Sequence, residues 1–369
     1  MKRKNKKNAL SKVKYYFIKF VKWSWIKRIL LILLCLSIVV LIYLVVYNFT
    51  ELSHYFERDN AQGELFKVCL TTFAGIGAFV ALYYSAKRVQ AMEKGNVDTR
   101  FNDAVGHLGS ENHTVVLGSI HTLHQIAVKH KSYTQVVHNL FCSYLRENSA
   151  KLYESIDFEK TPNKCPVIIQ ILIDYLFKLY NDKDSVYKNY KSDLSFIVLE
   201  NVSFKQSKIN DVSFYQSTLT KCVFDESTLT KCVFDGSLTH CNFRASTLIN
   251  CDFQGALTEC SFGRSTLTKC DFRGTLTMCN FFNSTLTMCA FNHLIEIIFP
   301  GKDVFKKYTL TNCNFLYSTL TKCAFGINLT ECSFGRSTLT KCNFLNSTLT
   351  KCNFKLIQLI DTILPTNEK

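Results

Sequence analysis

The feature that most constrains the fold is a five-residue period that runs from Ser192 to Asp361. The third residue of each unit is large and apolar, mostly Leu or Phe, the first is small, and the others are mostly polar. A helix cannot keep this period on one side, because five residues at about 100° each leave a drift of about 140° per unit. Two inward positions per unit, two residues apart, indicate short strands that meet at corners. The period therefore predicts a solenoid.

The lengths of the units indicate how many of them make one coil. Four-residue units occur at residues 237–240, 256–259, 275–278 and 328–331. The first three are spaced 19 residues apart, which is three full units and one short one, so we expect four units per coil with one short side. Removing residues 294–308 as an insertion at a corner leaves a further short unit on that side, residues 309–312. Eight coils result, and at about 4.8 Å per coil they form a rod roughly 38 Å long.

This arrangement stacks identical residues in columns that point inward. One Phe column contains Phe214, Phe234, Phe253, Phe272, Phe291, Phe325 and Phe344, and the opposite one contains Phe204, Phe224, Phe243, Phe262, Phe281, Phe315, Phe334 and Phe354. One Cys column contains Cys232, Cys251, Cys270, Cys289, Cys323 and Cys342, and the other contains Cys222, Cys241, Cys260, Cys279, Cys313, Cys332 and Cys352. Leu residues fill the two remaining sides. At about 2 kcal/mol for each buried side chain, these columns supply the core.

The Cys columns have two interpretations. A redox or thiolate–metal ladder is one, and packing of small apolar side chains is the other. Stacked coils hold Cβ atoms about 4.8 Å apart, which is wider than a disulfide favours. The chain contains no C-x-x-C sequence. We therefore interpret these residues as free thiols that fill space, in keeping with a reducing compartment.

Units such as STLTK and CVFDG resemble the pentapeptide-repeat family, whose consensus is A(D/N)LXX. The resemblance covers about 170 residues and implies an all-β, right-handed quadrilateral β-helix. Cys often replaces Ala at the first position of a unit, and Thr or Val often replaces Asp or Asn at the second. Fluoroquinolone-resistance members of this family resemble duplex DNA through a strongly negative surface and bind gyrase.

The N-terminal part predicts a membrane hairpin. Residues 29–47 are uncharged and apolar, and residues 68–84 form a second, shorter apolar run. Eleven Lys or Arg residues and no acid lie in residues 1–28, so the positive-inside rule places both termini in the cytoplasm of a multi-pass cell-membrane protein. The alternative for residues 29–47 is a cleaved signal peptide, and the alternative for residues 68–84 is a buried soluble helix. We interpret the basic charge of residues 1–28 as a means of attracting this segment to anionic lipids.

Apolar residues recur at helical spacing between the second run and the repeats, for example Leu117, Ile120 and Leu123. We expect a small helical region over residues 85–191, the solenoid over 192–361 and a tail over 362–369. His121 and His124 lie on one predicted helix, but no nearby ligand completes a metal site. Residues 101–127 resemble a stretch of bacterial membrane-anchored pentapeptide-repeat proteins, although His124 stands where that pattern has Glu.

No catalytic sequence pattern is found, and we expect no enzyme activity, metal or cofactor. The favoured function is a non-enzymatic, membrane-anchored scaffold that presents a rigid rod to an unknown cytoplasmic protein partner, with oligomerisation possible and nucleic acid not expected. DNA mimicry toward a type II topoisomerase, a Cys/His metal or redox sensor, and a secreted effector at a host membrane are the alternatives. The expected contact lies in the insertion and comprises Ile295, Ile297, Ile298, Phe299, Lys302, Lys306 and Lys307.

Overall fold

The computed structural model describes residues 61–154, 164–179, 184–291, 309–345 and 347–365, with side chains from Thr71 onward. The chain divides into two units, Met1–Ala91 and Met92–Lys369. Four helices precede the repeats: α1 (Ala61–Leu108), α2 (His113–Lys129), α3 (Thr134–Glu154) and α4 (Val167–Phe177). The predicted helical region is therefore confirmed as helices N-terminal to a β-solenoid.

The predicted membrane hairpin is not supported. The first expected span, residues 29–47, lies outside the described residues. The second, residues 68–84, lies within α1, where Lys87 and Arg88 follow it closely. A membrane-spanning helix needs about 20 apolar residues. Across the described ranges, no helix is both long and apolar enough to cross a bilayer.

The described part of the solenoid contains 21 short strands, all paired in parallel with strands of neighbouring coils. The strands are β1 (Ser192–Asp193), β2 (Val198–Glu200), β3 (Lys208–Asn210), β4 (Val212–Thr220), β5 (Thr228–Thr230), β6 (Val233–Thr239), β7 (Thr247–Ile249), β8 (Asp252–Phe253), β9 (Leu257–Thr258), β10 (Thr266–Thr268) and β11 (Asp271–Phe272). They continue with β12 (Leu276–Thr277), β13 (Thr285–Thr287), β14 (Ala290–Phe291), β15 (Thr309–Thr311), β16 (Thr319–Thr321), β17 (Ala324–Phe325), β18 (Asn328–Thr330), β19 (Thr338–Thr340), β20 (Leu349–Thr350) and β21 (Gln358–Ile360).

Each coil has four sides, numbered here in chain order from the unit that begins at Ser192. Sides 1 and 2 form the 13-stranded sheet, which includes β1 and β2. Side 3 is joined by isolated bridges, such as Asn280 with Asn314. Side 4 is an eight-stranded sheet from β3 to β21, with one strand per coil. The prediction of about eight coils is therefore confirmed.

The register confirms that the short units share one side. On side 2, Leu238 pairs with Leu257, Leu257 with Leu276, and Leu276 with Leu310. The step from Leu276 to Leu310 crosses the insertion and keeps the same pairing as the steps before it. On side 1, Phe291 likewise pairs with Phe325. The insertion thus begins after side 1 and returns to side 2 without disturbing the stack.

The core is built from the two Phe columns. Rings that follow one another in a column are nearly parallel; Phe243 and Phe262, for example, have centroids 4.8 Å apart and an interplanar angle of 3°. Rings of opposite columns meet edge to face, as Phe253 and Phe262 do at 5.6 Å and 90°. Both arrangements suit the charge distribution of aromatic rings. The Phe residues therefore contact each other along the rod and across it.

Most corners are formed by one residue in the left-handed backbone region. The last residue of a unit takes a positive φ, for example 56° at Lys231 and 55° at Arg336. Residues with branched Cβ atoms are strained in this region. Lys, Asn, Glu, Arg and Met are common at these positions, and no Val, Ile or Thr occurs among the described residues there.

The corner that precedes the short units is different, because it is made by stacked glycines. A Cβ atom on Gly255 would lie 1.6 Å from the Gly236 carbonyl oxygen, and one on Gly274 would lie 1.8 Å from that of Gly255. The backbones of successive coils approach too closely for any side chain. At the short units that begin at residues 237, 256 and 275, the one-residue deletion therefore coincides with a Gly at the end of the preceding unit, whereas Ile327 precedes the short unit at residues 328–331.

Candidate interaction surface

The insertion residues that the sequence singled out lie outside the described residues. These residues are Ile295, Ile297, Ile298, Phe299, Lys302, Lys306 and Lys307. The structure fixes only where the chain leaves the solenoid, after Phe291 on side 1, and where it returns, at Thr309 on side 2. The contact predicted for this segment stays a prediction.

The Cys columns lie inside the solenoid. Each thiol contacts a main-chain carbonyl oxygen of the preceding coil; Sγ of Cys241, for example, lies 3.3 Å from Leu219 O and Sγ of Cys260 lies 3.4 Å from Leu238 O. Ser takes the same place on side 4, where the Ser246 hydroxyl donates to Phe224 O at 2.6 Å. All described cysteines are free thiols. These contacts account for a small donor at the first position of a unit.

Burial restricts the access of reagents to the column thiols, most of which are almost completely buried. A hydrogen bond with the Cys222 thiol, together with burial, raises the pKa of Cys241. The thiolate is the form that attacks disulfides and binds metals. No group of three or more potential metal ligands occurs within the described ranges. The columns therefore serve packing.

We expect the column thiols to react about a hundredfold more slowly with a disulfide reagent in the native chain than in denaturant, because they are buried. The measurement is absorbance after addition of Ellman's reagent to a C35S/C69S background, which removes the two cysteines whose side chains the structure does not describe. Cys165 and Cys352, which are only partly buried, should react first. Native and denatured rates that agree would contradict this packing.

His121 and His124 form an aromatic cluster. Their partner is Tyr175: its hydroxyl contacts His121 Nδ1, and its ring stacks on His124 with centroids 3.7 Å apart. Nδ1 of His124 also lies 3.2 Å from the Tyr187 hydroxyl. Burial, with the nearby His121, lowers the pKa of His124 to about 4. The cluster joins α2 and α4 and engages Nδ1 of both histidines with tyrosine hydroxyls.

Helices α3 and α4 cover the first coil of the solenoid. The Tyr153 hydroxyl accepts from Glu200 N and donates to Glu200 O, both at 2.7 Å. The Gln170 side chain accepts from Ser203 N at 2.9 Å and donates to Ser203 O at 2.8 Å. These side chains replace the strand that a preceding coil would supply. Capping of this kind protects a sheet edge from pairing with other chains.

Side 4 is the most regular outer surface, and we call it the threonine face. It consists of the outward residues of β5, β7, β10, β13, β16 and β19, which are all Thr except Ile249, together with the residues at its corners. Strands of successive coils stay in register along the face, as Thr266 with Thr285 shows. At about 4.8 Å per strand, six strands give a flat surface about 24 Å long.

The corners of the threonine face carry only basic charges over most of its length. The residues Lys231, Lys269, Lys322 and Lys341 follow the strands, and Arg264 and Arg336 precede the face at its other corner. No Asp or Glu occurs in the side 4 units between Ser227 and Lys341. Glu226 lies at the corner that precedes β5 and pairs with Lys205, while Asp252 and Asp271 on side 1 pair with Arg273, at 3.3 Å and 3.1 Å.

From the sequence alone, the row of lysines indicates an ordinary solvated surface. The net charge of the solenoid is close to zero, so this value alone does not reveal that acidic and basic residues lie on different sides. Assigning every unit to a side shows that the acids lie mainly on sides 1 and 2. The signal was available in the sequence, because the side of each unit follows from the 19-residue spacing.

The repeats match the family model described as Pentapeptide repeats, in eight copies, over residues 197–236, 237–287 and 327–364. The structure agrees with this match, since the same residues form the parallel solenoid. The repeats of the solenoid are therefore similar to those of the pentapeptide-repeat family. No curated protein matches the chain.

Several solved structures are similar to the chain. The pentapeptide-repeat protein HetL from the cyanobacterium Nostoc, involved in regulation of heterocyst differentiation, is 15% identical, with 48% of this chain and 86% of HetL covered and a TM-score of 0.25. Rfr23 from the cyanobacterium Cyanothece is 15% identical, with 30% and 63% covered and a TM-score of 0.22. QnrB1, a plasmid-mediated fluoroquinolone resistance protein, is 15% identical, with 43% and 75% covered and a TM-score of 0.19.

Proposed function

We propose that the solenoid is a non-enzymatic interaction module that binds a protein partner through the threonine face. The observation that carries this proposal is the acid-free surface between Ser227 and Lys341, which is flat, rigid and bordered by basic residues. Charges of one sign on such a surface attract and orient a partner of opposite charge.

The inward side chains leave no room for a reaction site in the solenoid. Positions one and three of the units are filled by the Cys, Ser, Leu and Phe columns, which are almost completely buried. Chemistry on this face would therefore have to use outward Thr and Lys residues, and the side 4 units between Ser227 and Lys341 contain no Asp, Glu or His that could act as a general base. Binding is the activity that a repeated flat surface supports best.

The lysines of this face are available to a partner. Lys231, Lys269, Lys322 and Lys341 are exposed, and no carboxylate of the described residues forms an ion pair with them. By contrast, His240 and Lys351 at another corner pair with Glu259 and Glu331. The unpaired charges have not been used within the rod.

We expect replacement of Lys231, Lys269, Lys322 and Lys341 by Gln to abolish most labelling of the specific partner in living cells, because charge complementarity is lost. The measurement is proximity labelling from the C-terminus of the full chain. A matched control replaces the exposed Lys129, Lys131, Lys151 and Lys355, which lie off the face. Its labelling should equal that of the unmodified chain.

A third variant tests the insertion separately. Deletion of residues 294–308 should leave labelling intact if the threonine face is the contact, because the chain leaves and returns on sides 1 and 2. Labelling that is lost on this deletion but kept in the lysine variant would make the insertion the contact, as the sequence first suggested.

The charge of the threonine face is opposite to that of a DNA mimic, so DNA mimicry is not favoured. The interaction module also functions independently of membrane attachment. Residues 29–47, which motivated attachment, lie outside the described residues, and binding by the threonine face requires none of them.

A further inference from the structure

The outer surface of the solenoid carries an apolar cluster beside the threonine face. Phe282 and Leu316 lie on side 3, and Tyr317 lies at its corner with side 4. The exposed fraction of Phe282 is 36% and that of Tyr317 is 46%. Their ring centroids are 5.5 Å apart. Folding does not require this cluster, because the inner positions of the same units are filled by the buried Phe281 and Phe315.

The cluster interrupts the repeat at two consecutive coils. In the coils on either side, the positions of Phe282 and Leu316 are taken by Gly263 and Gly335. The position of Tyr317 is taken by Arg264 and Arg336 in those same coils. The side chains of the cluster therefore project from the surface between two glycines, and an arginine lies at each end of the cluster.

The charged residues of sides 3 and 4 around the cluster are all basic, and Glu259 and Glu331 lie at the far corner, between sides 2 and 3. Over these four coils, sides 3 and 4 contain no Asp or Glu and carry five basic residues, which are Arg264, Lys269, Lys322, Arg336 and Lys341. The Arg336 guanidinium lies 5.5 Å from the Tyr317 ring centroid and donates to its hydroxyl at 2.5 Å. Tyr, Phe and Arg at the centre of a surface are typical of residues that dominate protein binding.

We propose that this cluster binds an acidic segment of a partner protein in which an aromatic or long aliphatic side chain lies between carboxylates. The inference rests on the proposed function, whose partner class it specifies. The apolar side chain would contact Phe282 and Leu316, and the carboxylates would reach Arg264 and Arg336.

The geometry favours a protein segment over single-stranded nucleic acid. Stacking of bases requires an open aromatic face. The Tyr317 ring is already covered by Arg336 on one face and contacted by Phe282 at its edge. Leu316 and Phe282 instead offer an apolar contact that suits a side chain.

The test is selection of random 12-residue peptides displayed on phage against the full chain, with counterselection against a F282S/L316N/Y317S variant. We expect the selected peptides to combine Asp or Glu with an aromatic residue, Leu or Ile. Affinities of synthetic versions should fall at least tenfold in the counterselection variant and in R264Q/R336Q. Circular dichroism would verify that both variants keep the β signal.

A second exposed aromatic pair provides the control. Phe196 and Tyr215 have centroids 5.7 Å apart, but Tyr215 pairs in register with Asp235. A F196S/Y215S variant should bind the selected peptides as the unmodified chain does.

The remaining outcomes overturn the inference. They are failure to enrich any peptide, enrichment of peptides without acids, equal affinity for the counterselection variant, and binding of a dT20 oligonucleotide that this variant abolishes. Some peptides could lose affinity only in the variant in which Lys231, Lys269, Lys322 and Lys341 are replaced by Gln. The threonine face would then still be a binding surface, but the cluster would not be part of it. The two proposals therefore fail separately.

Discussion

Replacement of Gly255 by Ala is expected to destabilise the solenoid by about 2–4 kcal/mol, as lower denaturant midpoints of the β signal in circular dichroism will show. The added Cβ would lie 1.6 Å from the Gly236 carbonyl oxygen, and neither group belongs to a flexible side chain. Relief of this overlap requires two coils to move apart, which also disturbs the stacked Phe rings beneath them. Gly274→Ala should behave alike, with its Cβ 1.8 Å from Gly255 O.

Gly263→Ala is the matched control for this effect. Gly263 is also buried in the solenoid, but an added Cβ there would meet nothing closer than the Phe282 carbonyl oxygen at 3.5 Å. That separation is an ordinary contact, so the free energy of unfolding should change by no more than about 0.5 kcal/mol. Equal effects of Gly255→Ala and Gly263→Ala would show that the corner is not closed by backbone contact.

The second large effect is expected at the helical cap. Tyr153→Phe removes a buried hydroxyl that satisfies both Glu200 N and Glu200 O, which should cost about 1–3 kcal/mol and open the first coil. Hydrogen exchange at the Glu200 amide should become faster. Because an opened edge pairs with other chains, size-exclusion chromatography should show larger species.

Tyr144→Phe on the same helix is the comparison. Tyr144 is half-buried, and its hydroxyl forms no hydrogen bond with the described residues. Exchange at Glu200 and the elution volume should stay unchanged in this variant. If the Glu200 amide exchanges as slowly in Tyr153→Phe as in the unmodified chain, other contacts hold the edge of the first coil. The helical cap would then act through apolar packing.

Much of the solenoid could be predicted from the sequence because its period is strict. The four-unit coil, the common side of the short units and the register across the insertion all follow from spacing. Leu276 and Leu310 pair as expected although 15 inserted residues separate their coils. Stacking of identical rings then needs no further information, since each coil repeats the previous one.

Contacts that depend on distance in space were missed. Nothing in the order of residues shows that the Gly236 and Gly255 backbones nearly touch, or that Tyr153 and Gln170 face the first coil. The apolar cluster was missed for another reason: Phe282 and Tyr317 are single exceptions within a repeat, and a search for regularity ignores them. The membrane hairpin came from hydropathy alone, and the described residues give it no support.

The tyrosine and glutamine that close the first coil also make the rod adjustable in length. They bind only the edge of one coil, and every later coil offers the next one the same pattern of carbonyl and amide groups. Gain or loss of one 19-residue block would therefore move the distal end by a single strand spacing and leave the remaining joints unchanged. The length of such a rod can therefore change in steps of one coil when a repeat block is duplicated.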